Sequence, residues 1–186
     1  MKVLGFYDSQ KISMRCIIMI LTFQINRHYG ATMKVEFVNP FLISTINVLK
    51  TMARTEAKPG KPFLKSDKSA KGDVTGIVGM SGVQARGSLS ITFTEPAILQ
   101  IYSQMLGETI QQIDDSVVDC VGEITNMICG GAKAILSEKG YKFEMAIPSM
   151  IAGKNHSVFH KTNGKVICIP FDTSAGSFFV EICFEE

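Results

Sequence analysis

The sequence predicts an α+β fold in which an antiparallel β-sheet is flanked by one long helix and by shorter helices. Three observations lead there. An amphipathic pattern of helical period occupies 113–139. Short segments rich in Val, Ile, Thr and Phe, bounded by Gly-containing turns, recur over 73–93 and 165–184. The last of these follow one another as a meander with no helical pattern between them, which is how antiparallel strands are joined.

Each element has its own signal. Asn39 and Pro40 read as N-cap and first helical residue. Phe41, Ile43, Ile46, Leu49 and Met52 then recur at near-helical spacing, so a first helix is expected over 40–52. Lys58, Lys61, Lys65, Lys68 and Lys71 follow among Pro, Gly and Ser. They read as a solvated connection with a short strand at 61–64; a basic binding patch is the rival reading. Strands are expected over 73–80 and 87–93 with a turn between. Glu95 and Pro96 open a short helix that stops at Gly107, and the long helix ends at Gly140, a residue suited to a left-handed C-terminal stop. The stretch 143–151 contains Pro148, which makes it a sheet edge or a broken strand. The closing meander is expected at 157–160, 165–171 and 177–184.

Residues 1–32 stand apart. Their apolar centre, from Cys16 to Phe23, is at the short limit of a signal-peptide core and is followed by no small-x-small cleavage pattern. Met33 opens MKVEFVNPF like a fresh beginning. The reading is an N-terminal extension over 1–32, from an upstream start, and one domain over 33–186, with a secretory signal as the alternative. At 186 residues and 46% hydrophobic, the chain can bury a sizeable core. A net charge of +2, no Trp and 9% aromatic residues supply neither the field nor the stacking surface of a nucleic-acid binder. No apolar run approaches the ~20 residues of a membrane span. The five cysteines, Cys16, Cys120, Cys129, Cys168 and Cys183, form no CxxC pair and have apolar neighbours, so free thiols in a reducing cytoplasm are expected.

The long helix carries the functional signal. Val117, Val121, Ile124, Ile128, Ile135 and Leu136 make an apolar face. Asp119, Glu123, Asn126, Gly130 and Lys133 follow one another at steps of four, three, four and three, which aligns them on another. A polar stripe on an amphipathic helix is ordinarily just solvated. Here Gly130 and Gly131 sit well before the helix end, each about 1 kcal/mol worse than Ala in a helix interior. A missing side chain lets something approach the backbone: another helix of the same domain, or a partner. A carboxamide is too weak a base to take a proton outright, but it can fix a water's orientation. A carboxylate one turn away can pair with a cation. The combination suits a reaction that needs position more than acidity.

Asp119-x-x-x-Glu123-x-x-Asn126, followed by Pro148, resembles the signature of the CheX/CheC/FliY chemotaxis phosphatases. MKVEFVNPFLISTINVLKTM, GDVTGIVGMSG and the strand-rich end extend the resemblance over 33–186, closest to the CheX type. It implies a CheC/CheX-like fold and hydrolysis of the phospho-aspartate of a CheY-like response regulator. By carry-over, Glu123 contacts a lysine beside the phospho-aspartate and Asn126 orients the attacking water. Asp119, Gly130 and Lys133 share that partner-facing stripe. The Mg²⁺ is held by the regulator and the chain needs no cofactor of its own. A homodimer joined through the sheets is also implied. Relatives of the CheC type carry two such motifs; here the first helix offers only Ser44-x-x-Asn47, so the chain reads as single-sited and neither residue is given a catalytic role.

Other candidates are weaker. His156 and His160 would chelate a metal on a helix, but in a strand they stand ~13 Å apart. Gly76-x-x-Gly79-x-x-Gly82 precedes a strand, not a helix, so it is no dinucleotide fingerprint. The competing functional class is a non-catalytic module that docks onto a receiver domain or a flagellar-switch component.

Overall fold

The computed structural model describes residues 35–185; the reading of 1–32 as an extension, and of Met33 as a start, lies outside the described residues. In chain order the elements are α1 (Val35–Met52), β1 (Lys58–Pro59), β2 (Phe63–Lys65), β3 (Val74–Gly82), β4 (Arg86–Phe93), α2 (Glu95–Leu106), α3 (Asp115–Glu138), β5 (Phe143–Met145), β6 (Ser149–Ala152), β7 (Val166–Asp172) and β8 (Ser177–Glu185). The strands form one eight-stranded sheet of order β1-β7-β8-β4-β3-β5, with β2 also on β7 and β6 also on β3. Every pairing is antiparallel. The expected α+β class is therefore the observed one.

Period-two alternation gives the sheet two unlike faces. Leu89, Ile91 and Phe93 of β4 pair across with Ile182, Val180 and Phe178 of β8, and all six are buried on the face that the helices cover. The other face carries Thr75, Ser88, Ser90, Thr92, Cys168, Glu181 and Cys183, polar or small yet also buried. It is covered by two irregular stretches, 66–72 and 153–165. They are tied together by Ala70 N–H to the His156 carbonyl (3.0 Å), by Val158 N–H to the Lys68 carbonyl (2.8 Å) and by one bridge between Ser69 and Ser157. The strand expected at 157–160 is thus absent: the segment lies across the sheet instead of joining it.

Two further expectations are corrected. α1 begins at Val35, not at Pro40, so Asn39 is no N-cap and Pro40 lies inside the helix. Proline there removes one helical hydrogen bond. Burial of Phe37 outweighs it: its ring stacks on Phe184 (4.7 Å, 12°) and packs tilted against Tyr141 (4.8 Å). The lysine-rich connection is not wholly solvated either. Lys65 closes β2 against β7, and its ammonium is buried 2.5 Å from Glu181 Oε1.

α3 packs across the middle of the sheet and beside α1, and small residues set how closely. A Cβ at Gly76 of β3 would strike the Thr125 hydroxyl and lie 3.3 Å from Val121, so β3 can pass directly beneath α3. A Cβ at Gly131 would strike the Ser44 hydroxyl of α1, which donates 2.8 Å to the Ile128 carbonyl. The expected break at Pro148 is a β-bulge. Between the pairs Met80–Met145 and Ile77–Ser149, β3 contributes two residues and the facing chain three. Ala146 N–H still bonds the Gly79 carbonyl (3.0 Å), which leaves Ile147 and Pro148 together opposite Val78.

Candidate functional site

The site is built on α3. Asp114 caps it: the carboxylate accepts from Val117 N–H (3.0 Å) and from the Ser116 hydroxyl (2.6 Å). The Ser116 bond first, and then the Val117 N–H, hold the Asp114 carboxyl below its ordinary pKa. Gly140, at φ +90°, follows the last turn and donates to the Ser137 carbonyl, so the helix stops where its sequence says.

Val117, Val121, Ile124, Ile128 and Leu136 are completely buried, and Ile135 half-buried. Cys120, Thr125, Cys129 and Ala132 widen the buried face. Burial pushes the Cys120 thiol up to about 11 and the Cys129 thiol to about 12, with Glu123 adding to the first and Lys133 opposing the second. Both stay protonated at neutral pH and serve as packing, not as nucleophiles.

Asp119, Glu123 and Asn126 are exposed on one stripe, and Gly130 and Lys133 are half-buried along its continuation. Glu123 and Asn126 are one turn apart, which places their Cβ atoms ~5–6 Å from each other. Neither side chain has a hydrogen-bond or ion-pair partner among the described residues. The two glycines have separate explanations. Gly131 admits α1. Gly130 faces open space: a Cβ there meets nothing within 4 Å. No part of the described chain needs that side chain to be missing.

The structure brings one feature to the stripe that the sequence did not announce. Met150 of β6 lies over Gly122, where a Cβ would sit 2.9 Å from its sulfur. β6 therefore runs tightly along α3, and the Met150 side chain stays 38% exposed beside it. The sequence signal was a glycine one residue before Glu123 together with a proline-broken strand, which is too common a pair to point anywhere alone.

Residues set aside by sequence are occupied elsewhere. Ser44 is buried and bonded to α3, while Asn47 is exposed without a carboxylate one turn before it. His156 Nε2 meets the Thr75 hydroxyl (2.7 Å) and its Nδ1 the Gly153 carbonyl (2.7 Å). His160 Nδ1 meets the Ser88 hydroxyl (2.7 Å) and its Nε2 lies 3.3 Å from Glu181. Three of these ring nitrogens hold the 153–165 stretch to the sheet, and the fourth, His156 Nδ1, bonds within the stretch. Among the described residues no group of three or more His, Cys, Asp or Glu side chains could hold a metal, and no helix is long and apolar enough to cross a membrane.

Comparison with known proteins identifies the family and the fold. Residues 74–172 match the family described as chemotaxis phosphatase CheX. The crystal structure of a CheC-like superfamily protein from Shewanella sp. PV-4 is 57% identical, with a TM-score of 0.79 over 83% of this chain and 100% of its own. A chain of the CheX–CheY–BeF3–Mg²⁺ complex from Borrelia burgdorferi is 29% identical, with a TM-score of 0.69 over 81% of this chain and 98% of its own. The CheY-P phosphatase CheX of Thermotoga maritima is 24% identical over 139 residues, 74% of this chain and 88% of that protein.

Proposed function

The chain belongs to the chemotaxis phosphatase CheX family, and from that premise we propose that it hydrolyses the phospho-aspartate of a CheY-like receiver domain and so ends a chemotactic signal. One observation carries the proposal to particular residues: Glu123 and Asn126 stand exposed on one stripe of α3 with no partner in their own chain. Polar side chains that fix no part of their own fold are free to act on another molecule.

In the proposed step the bond between phosphorus and the aspartyl oxygen breaks as a water oxygen bonds to phosphorus from the opposite side, giving a free carboxylate and inorganic phosphate. The Asn126 carboxamide accepts from or donates to that water and holds it in line. Glu123 pairs with a lysine beside the receiver's phospho-aspartate and sets the register. Asp119 lies one turn before Glu123, on the approach to the same surface. Gly130 lets the partner reach the helix backbone, and Lys133 lies beyond it. Mg²⁺ belongs to the receiver and supplies charge neutralisation there. The occurrence of a 29% identical relative in a complex with CheY, BeF3 and Mg²⁺ supports this division of labour. The demand on the chain is modest, because an acyl phosphate is already labile: a hundredfold acceleration is about 2.7 kcal/mol of barrier.

Phosphorylated receivers occur in the cytoplasm, where we place the activity. A homodimer joined through the sheets would leave the α3 layer of each copy facing outward, and sedimentation equilibrium reads that assembly directly. The phosphatase reading is tested by following loss of label from a panel of phosphorylated CheY-type receivers. The chain is expected to accelerate it for at least one receiver, and Asn126→Ala to abolish the acceleration with an unchanged melting curve, because Asn126 is exposed. A well-folded Asn126→Ala chain with full activity would refute the assignment.

A further inference from the structure

We propose that the bulged edge beside α3, through Ile147 and Met150, is an apolar anchor for the receiver domain, and that it governs affinity while Asn126 governs the rate of hydrolysis. This rests on the phosphatase reading above. Large apolar side chains exposed among the described residues include Ile147 (90%) and Met150 (38%), and these two belong to the single strand edge that runs along the motif helix. A residue at the edge of a sheet would ordinarily alternate into or out of the core. Ile147 points outward although it stands with Pro148 opposite the buried Val78, because the extra residue at the bulge breaks the alternation and Pro148 offers no N–H to restore the ladder.

The bulge also falls at the right height. Gly76, opposite Met150, lies beneath Val121 and Thr125 of α3. The short link from Glu138 into β5 brings the chain back opposite Gly82, so α3 and β3 run in the same direction. From Gly76 to Val78 the strand advances ~6.6 Å, a little over one helical turn. That sets Ile147 and Pro148 level with Asn126, one turn beyond Met150 at Gly122. Ile147 and Met150 therefore lie at neighbouring heights along the same helix as the acid and the amide, and all four are exposed. An exposed ion pair such as that of Glu123 contributes little affinity. Interfaces take most of theirs from a few apolar anchors that become buried. The occupant that fits is the surface of the receiver immediately beside its phospho-aspartate pocket, presenting an apolar patch to Ile147 while Asn126 enters the pocket.

The test measures two quantities for the full chain: equilibrium binding of a CheY-type receiver loaded with beryllium fluoride and Mg²⁺, and the decay rate of the phosphorylated receiver at saturating chain. Ile147→Asp is expected to weaken binding about tenfold or more and to leave the saturated rate within about twofold of the parent. Ile147→Val, which keeps an apolar surface, is expected to retain affinity. Asn126→Ala is expected to show the opposite split, with binding retained and the rate lost. Melting curves of the Ile147 variants should match the parent, since the side chain is 90% exposed. Parent-like affinity in Ile147→Asp would overturn the anchor and leave the phosphatase reading standing. A parent chain that neither binds nor dephosphorylates any receiver of the panel would overturn the phosphatase reading itself.

Discussion

Gly130 and Gly131 are adjacent in α3, yet replacing each with alanine should move stability in opposite directions. A glycine in a helix interior is about 1 kcal/mol worse than alanine. At Gly130 a Cβ meets nothing within 4 Å, so Gly130→Ala should recover roughly 0.5–1 kcal/mol. For a chain of this length that is a rise in Tm of about 2–4 °C per kcal/mol. Gly131→Ala gains the same helix propensity but places its methyl on the Ser44 hydroxyl and 3.3 Å from the Ser44 Cβ. Ser44 must then give up its hydrogen bond to the Ile128 carbonyl, about 1 kcal/mol, or α1 must shift, and overpacking of this kind costs about 1–3 kcal/mol. Against the helix propensity gained, the balance is a net loss of up to about 2 kcal/mol. Thermal melts of both variants read the signs. Adding Ser44→Ala removes the hydroxyl that the new methyl meets, so a double-mutant cycle with Gly131→Ala should show coupling of about 1 kcal/mol. In the binding assay Gly130→Ala should be weaker than the parent although it melts higher, if the receiver approaches where that side chain is missing, as proposed. A Gly130→Ala chain that melts below the parent, or a Gly131→Ala chain as stable as Gly130→Ala, would refute the reasoning.

The remaining predictions concern charge. Glu123→Lys should weaken receiver binding about tenfold, or ~1.4 kcal/mol, by opposing the receiver's lysine, and the defect should shrink as salt rises; unchanged affinity in a titration would remove Glu123 from the docking role. Glu181→Gln should cost about 3–5 kcal/mol in urea unfolding near neutral pH, because it leaves the buried Lys65 ammonium without its counter-charge. Burial alone would raise the Glu181 carboxyl, but hydrogen bonds from His160 and Lys65, together with the Lys65 charge, hold it below its usual 4.5. A carboxyl lowered on folding stabilises fully above its unfolded pKa, and that contribution is lost as pH falls through the folded value. The gap between parent and Glu181→Gln should therefore narrow on acidification below 4.5, and a gap independent of pH would count against the ion pair as its source.

The stripe was legible because helical spacing alone aligns Asp119, Glu123 and Asn126, and because Gly140 marks the stop. The β3–β4 hairpin and the β7–β8 meander were legible in the same local way. What sequence misplaced depended on distant partners. Asn39–Pro40 has the grammar of a helix start, but Phe37 is drawn into the helix by Phe184, far along the chain. Lys65 reads like its solvated neighbours until Glu181 is seen beneath His160 of the 153–165 stretch. Gly130 and Gly131 were one puzzle in the sequence and are two answers in space, since only one of them touches α1. Pro148 announced a broken strand, but not which side chain the break would turn outward.

The bond from Ser44 to the Ile128 carbonyl has a consequence for stoichiometry. A carboxylate at position 44 would have to displace that bond and fit where even the methyl of an alanine at 131 does not. α1 is thus committed to bracing its neighbour and cannot acquire a duplicate motif by point substitution. Each chain should titrate with one equivalent of receiver, and a protein needing two working ridges would have to rebuild the junction between its helices first.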